Sequence, residues 1–198
     1  MKIPVLAGAI AIALLATADT SNAQDRPASP RGEASTQIDG SWIYVDYGRP
    51  ILRGRTDVFT SGDSYGESVY AGAPVWRAGA NQSTRITTEA DLMFGDATLP
   101  AGEYSVFVDL AGSDAWTLIF SNHTAKAQYR DEDDGLWGAY GYDAAMDVLR
   151  VPMNVTETPM SADQFTILFI DVTSDGGTLA MWWENTWATA EFMVGEAG

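Results

Sequence analysis

The sequence predicts an all-β protein, an antiparallel β-sandwich with little helix. Three observations predict it. Short runs of β-branched, aromatic and alternating residues recur along the chain, Gly, Pro, Asn and Asp turn signals separate them, and no long stretch keeps a 3.6-residue period. The lack of crossover helices argues against a βαβ arrangement. A jelly-roll-like or barrel-like closure of the sandwich stays open from the pattern alone.

Taken in order, Met1 and Lys2 make a positive start, and Ile3 to Ala16 is apolar except for Pro4. Ser21-Asn22-Ala23 places small residues where signal peptidase needs them. Residues 1–23 are therefore expected to be a signal peptide cleaved after Ala23, with Ala18 as the second candidate. The apolar run falls short of the roughly 20 residues of a spanning helix, and no Cys follows to carry a lipid. The expected location is outside the cytoplasm, periplasmic or secreted. Residues 24–33 carry no period and read as a flexible leader to a single domain over 34–195.

Within that domain, Trp42 to Tyr47 alternates and ends at Gly48-Arg49-Pro50. Thr84 to Thr88 alternates, and Leu92-Met93-Phe94 runs to a turn at Gly95-Asp96. Leu99-Pro100-Ala101-Gly102 has the composition of a type I turn. It opens Tyr104 to Val108, which breaks at Ala111-Gly112-Ser113-Asp114. Trp116 to Phe120 and Asp147 to Met153 follow, with one helical turn possible over Tyr142 to Met146. Phe165 to Val172 is apolar on both faces and reads as central. Ser174-Asp175-Gly176-Gly177 turns the chain into Leu179 to Trp183, and Glu184-Asn185-Thr186 leads to a final strand, Trp187 to Val194.

Composition narrows the chemistry. The formal net charge of the 198 residues is −16, and losing Lys2 and Asp19 with the signal peptide leaves it unchanged. Such a balance repels nucleic acid and anionic membranes. With no Cys and one His, His123, the ordinary zinc sites and thiol catalysis are out of reach. No metal and no cofactor is expected. The basic set beyond Lys2 is Lys126 and nine Arg, a bias toward fixed or stacked contacts.

Six strings carry a family likeness: Tyr47-Gly48-Arg49-Pro50, Gly54-Arg55, Val75-Trp76-Arg77-Ala78-Gly79-Ala80-Asn81, Leu99 to Tyr104, Leu136-Trp137-Gly138-Ala139-Tyr140 and Asp147 to Val151. From about Ser29 to Val194 the chain resembles the secreted bacterial family called domain of unknown function 2911. The resemblance implies an exported β-rich domain and no established activity. The stretch from Thr56 to Ala73 departs from the family's pattern, being longer and more polar.

The candidate site is Arg49, Arg55, Trp76, Arg77 and Asn81, with Arg53, Tyr47 and Asp46 beside them. Guanidinium groups next to aromatic rings stack, and Arg with Asn offers directional donors for carboxylates, phosphates or sugar hydroxyls. The competing reading is structural: Arg49 and Arg77 pair with Asp46 or Asp147 and lock the sheets, while Asn81 completes a turn. The expected function is a non-catalytic binding or interaction module for a small polar or anionic ligand or a carbohydrate. The alternative is a hydrolase acting on envelope or extracellular polymers through Asp143, Asp147, Asp171 or Glu184. A purely structural role in an envelope assembly is the third reading.

Weaker motifs point elsewhere. Gly62-Asp63-Ser64-Tyr65-Gly66 matches the serine-hydrolase elbow, but that needs a strand before Ser64, a helix after it and a His within reach. Asp131-Glu132-Asp133-Asp134 lacks the spacing of a calcium loop and reads as a solvated run. Trp182 and Trp183 must face opposite ways on a strand, so one belongs to the core. The other, beside Trp187, would make a sugar-stacking face.

Overall fold

The computed structural model describes residues 28–195. The signal peptide expected over 1–23 and the expected leader up to residue 27 lie outside the described residues. Nine strands form one antiparallel sheet: β1 (Arg31–Ile38), β2 (Ser41–Gly48), β3 (Thr84–Thr88), β4 (Leu92–Phe94), β5 (Ala97–Leu99), β6 (Gly102–Gly112), β7 (Ala115–Ser121), β8 (Asp147–Ile170) and β9 (Gly176–Val194). A four-residue helix, α1 (Glu67–Tyr70), and two 3-10 turns are the only helix among the described residues. The spatial order is β1-β2-β3-β6-β7-β8-β9-β4-β5.

The sheet folds over on β8. Its first part, from Asp147 to Met153, pairs with β7, and from Asn154 onward it pairs with β9. The two halves thereby face each other, and one core draws on both: Ile43, Val45, Ile86, Val106 and Leu118 from one half, Leu92, Phe165, Ile167, Met181 and Phe192 from the other. This is the sandwich-like arrangement that alternation predicts.

Two boundaries need correction. Residues 31–33 belong to β1 and not to a leader: Arg31 grips Asp46 of β2 through Nε–Oδ1 at 3.1 Å and a second nitrogen at 2.5 Å from Oδ2. β1 is an edge strand whose residues are mostly exposed or half-buried, so it has almost no apolar signal. Secondly, the runs read as four separate strands near the C-terminus form two long ones, β8 and β9, each continuing through register shifts.

The shifts matter to the surface. The β9 side chains that enter the main core are Leu179, Met181 and Trp183, then Ala188, Ala190 and Phe192. Parity changes between 183 and 188, where Glu184 adopts φ 52. That bulge puts Trp182 and Trp187 on the same outer face despite their odd separation.

A second layer lies outside β6 and β7. Phe107 and Ile119 are fully buried there, facing away from the main core, under Ala73, Val75, Leu136 and Ala139. The segments 73–83 and 122–146 make this cover, and they carry the residues of the site.

Candidate functional site

The string from Trp76 to Asn81 folds as a tight turn, and most of it is structural. Trp76 is buried in an aromatic cluster with Phe59, Trp116, Phe165 and Trp183, and its indole N–H donates to the Gly79 carbonyl at 3.2 Å. A Cβ on Gly79 would stand 2.7 Å from the Gly48 carbonyl oxygen, and one on Gly48 would stand 2.0 Å from that of Ala80. Two of the quoted strings therefore meet backbone to backbone, which only glycine permits. Asn81 sits at φ 63, a left-handed turn position, and enters through its carbonyl.

The predicted arginines serve different places. Arg49 lies 6.0 Å over the Tyr47 ring and bonds the Phe165 carbonyl (3.4 Å) and Thr166 Oγ1 (3.2 Å), tying β2 to β8. Arg55 folds back on its own loop, donating to the carbonyls of Leu52 (3.1 Å) and Ile51 (3.0 Å) beneath Trp183. Neither Arg49 nor Arg77 pairs with Asp46 or Asp147, whose partners are Arg31 and Arg150.

Arg77 opens onto a cavity. The residue is 8% exposed, yet it helps line a hollow of about 590 Å³ with Lys126, Tyr129, Gly135, Trp137 and Tyr140. It packs 5.2 Å from the Tyr140 ring centroid and donates from one nitrogen to the Asn81 carbonyl at 3.1 Å. Gly138 leaves it room: a Cβ there would come within 2.4 Å of that nitrogen. Lys126 Nζ donates to the Asp131 carbonyl at 2.8 Å. No carboxylate among the described residues forms an ion pair with Arg77 or Lys126. Tyr129 and Trp137 meet edge to face at 5.9 Å, and Tyr140 is pinned by its hydroxyl donating to the Ala71 carbonyl.

The acidic candidates are each engaged by local partners or exposed. Asp143 caps a 3-10 turn by accepting from Ala145 N–H, and Asp147 accepts from Tyr142 and Arg150. Asp171 stands in an exposed left-handed turn. Glu184 accepts from the amides of Asp57 (2.5 Å) and Val58 (3.0 Å) and lines a cleft of about 960 Å³. Ser64 ends a 3-10 turn with no strand before it, and its carbonyl takes the Thr60 hydroxyl. His123 lies instead against Phe107 and Tyr142, with Nε2 accepting from the Asp143 amide. In the acidic run, Asp131 and Asp133 accept from nearby backbone amides as turn residues. Among the described residues no group of three or more His, Cys, Asp or Glu is placed to hold a metal ion. No helix of the described residues is long and apolar enough to cross a membrane.

Sequence reasoning missed Lys126, Tyr129, Trp137 and Tyr140 as companions of Arg77. Two signals were available. Trp137 and Tyr140 belong to one of the strings that carry the family likeness, and Lys126 is the lone lysine after Lys2.

Comparison with known proteins gives one match. A family described as protein of unknown function (DUF2911) matches residues 29–192. No curated protein and no solved structure matches the chain.

Proposed function

The chain belongs to the DUF2911 family, and from that premise we propose that it is an exported, non-catalytic module that binds a small anionic ligand in the Arg77 hollow. One observation carries the reading: a largely buried arginine lines a cavity with no carboxylate partner among the described residues, in a chain of net charge −16. A buried charge without a counter-charge is costly, and an incoming carboxylate or phosphate supplies one through charge-assisted hydrogen bonds. Lys126 adds a second positive charge. Trp137, Tyr129 and Tyr140 offer ring faces, which favours an anion carried on a planar or apolar body.

A thermal-shift titration with inorganic phosphate, citrate and benzoate tests the ligand class. At least one should raise Tm with the logarithm of its concentration. Arg77→Ala and Lys126→Ala should each remove most of that rise, and Lys126→Ala covers the case in which Arg77→Ala fails to fold. The absence of a rise with all three anions, or an undiminished rise in both variants, sinks the reading. The export half rests on the Met1–Ala23 pattern. It is checked by the intact mass of the form recovered outside the cytoplasm, which should begin at Gln24.

A further inference from the structure

We infer that the outer face of β8 and β9 is a second site, which takes a sugar chain bearing no negative charge. Trp182 and Trp187 stand edge to face with ring centroids 5.9 Å apart. With Thr156, Thr158 and Met160 they line a hollow of about 350 Å³. Met160 is 64% exposed at its rim, so a large apolar side chain is held open to water. The same two threonines also line the cleft of about 960 Å³, so the aromatic hollow and the cleft share a wall. Neither shares a residue with the Arg77 hollow.

The two surfaces together have the chemistry a sugar needs. Ring faces and Met160 cover the C–H face of a pyranose, while the hydroxyls require both donors and acceptors. The cleft supplies Thr156, Thr158 and Asn185 as donors or acceptors, and Asp57, Asp114, Glu157 and Glu184 as acceptors. No Lys or Arg lines either surface. Four carboxylates and no cation repel uronates and sulfated chains and accept neutral or amino-bearing sugars.

A second line of support is conformational. Three non-glycine residues on the cleft wall hold left-handed backbone: Asp57 at φ 60, Thr60 at φ 58 and Glu184 at φ 52. Strain of this kind gathers where a site must be shaped. Here the Glu184 bulge does the shaping, because it brings Trp182 and Trp187 to one face.

The test is isothermal titration of the protein with cellohexaose, a glucosamine hexamer and a galacturonate hexamer. Saturable binding is expected for at least one of the first two and not for the third. Trp187→Ala should weaken that binding by about tenfold or more. Thr156 is exposed, so Thr156→Arg should fold normally and block the shared wall, which keeps the idea testable if Trp187→Ala does not fold. Three outcomes overturn it: no binding of either uncharged or amino sugar at millimolar concentration, equal binding of the galacturonate hexamer, or full binding in folded Trp187→Ala and Thr156→Arg.

Discussion

Tyr47 joins the two halves of the sheet through one hydroxyl. It donates to the Ile167 carbonyl at 3.2 Å and accepts from the Ile167 amide at 2.9 Å, all of it buried. Tyr47→Phe keeps the ring but leaves both backbone groups unpaired in the interior, which should cost about 1–3 kcal/mol. The expected reading is a lower urea midpoint with an unchanged slope; an unaltered midpoint would sink it. In the sequence Tyr47 stands beside the candidate arginines, and its type and spacing suit a stacking partner. Its bond to a residue 120 positions away cannot be read there. The same holds for Arg49 and Arg55, whose donors end on carbonyls of Phe165, Ile51 and Leu52. Residue type announces what a side chain can bond; only the fold says with what.

At the scale of elements, the bulge in β9 is the feature with most consequence. Glu184 adopts a strained conformation that a glutamate does not choose by itself, and the amides of Asp57 and Val58 hold it there through its carboxylate. The long connection between β2 and β3 is thus anchored to β9 at that point. Glu184→Ala removes the anchor, so amide exchange at Asp57 and Val58 should quicken by about tenfold or more, from the loss of bonds to a charged acceptor. Unchanged exchange at both amides would show that other contacts hold the connection. Alternation made Leu179 to Trp183 and Trp187 to Val194 legible as strands. It could not show that they are one strand, because the parity change is imposed by a contact with a remote loop. Likewise β1 was missed for a physical reason: an edge strand that buries little needs little apolar residue.

The whole molecule is set to lose stability in alkali. Burial raises the phenol pKa of Tyr65, Tyr70, Tyr104 and Tyr142 above the usual value near 10, and for Tyr142 the neighbouring Asp147 carboxylate adds to the rise. A raised folded-state value means that the unfolded chain releases its protons first. Stability from these groups is therefore complete below pH about 10 and falls as pH climbs through the folded-state values. Urea unfolding from pH 8 to 11.5, with phenolate absorbance read alongside, should show a level stretch and then a decline. Tyr142→Phe should make the decline shallower. Stability that stays level across the whole range would contradict this.

By itself the sequence determined the kind of protein this is. Strand-length apolar alternation, punctuated by Gly, Pro and Asp turns, is a local code, and it specified an antiparallel β protein and most of its strands. What only the tertiary structure decided is which polar groups are left over for a ligand. Of the predicted cluster, Trp76 went to the core, Arg49 and Arg55 to carbonyls, Asn81 to a turn, and Arg77 to an open cavity. The division could not be read locally, because a charged or aromatic side chain is spent or free according to neighbours that arrive from remote parts of the chain.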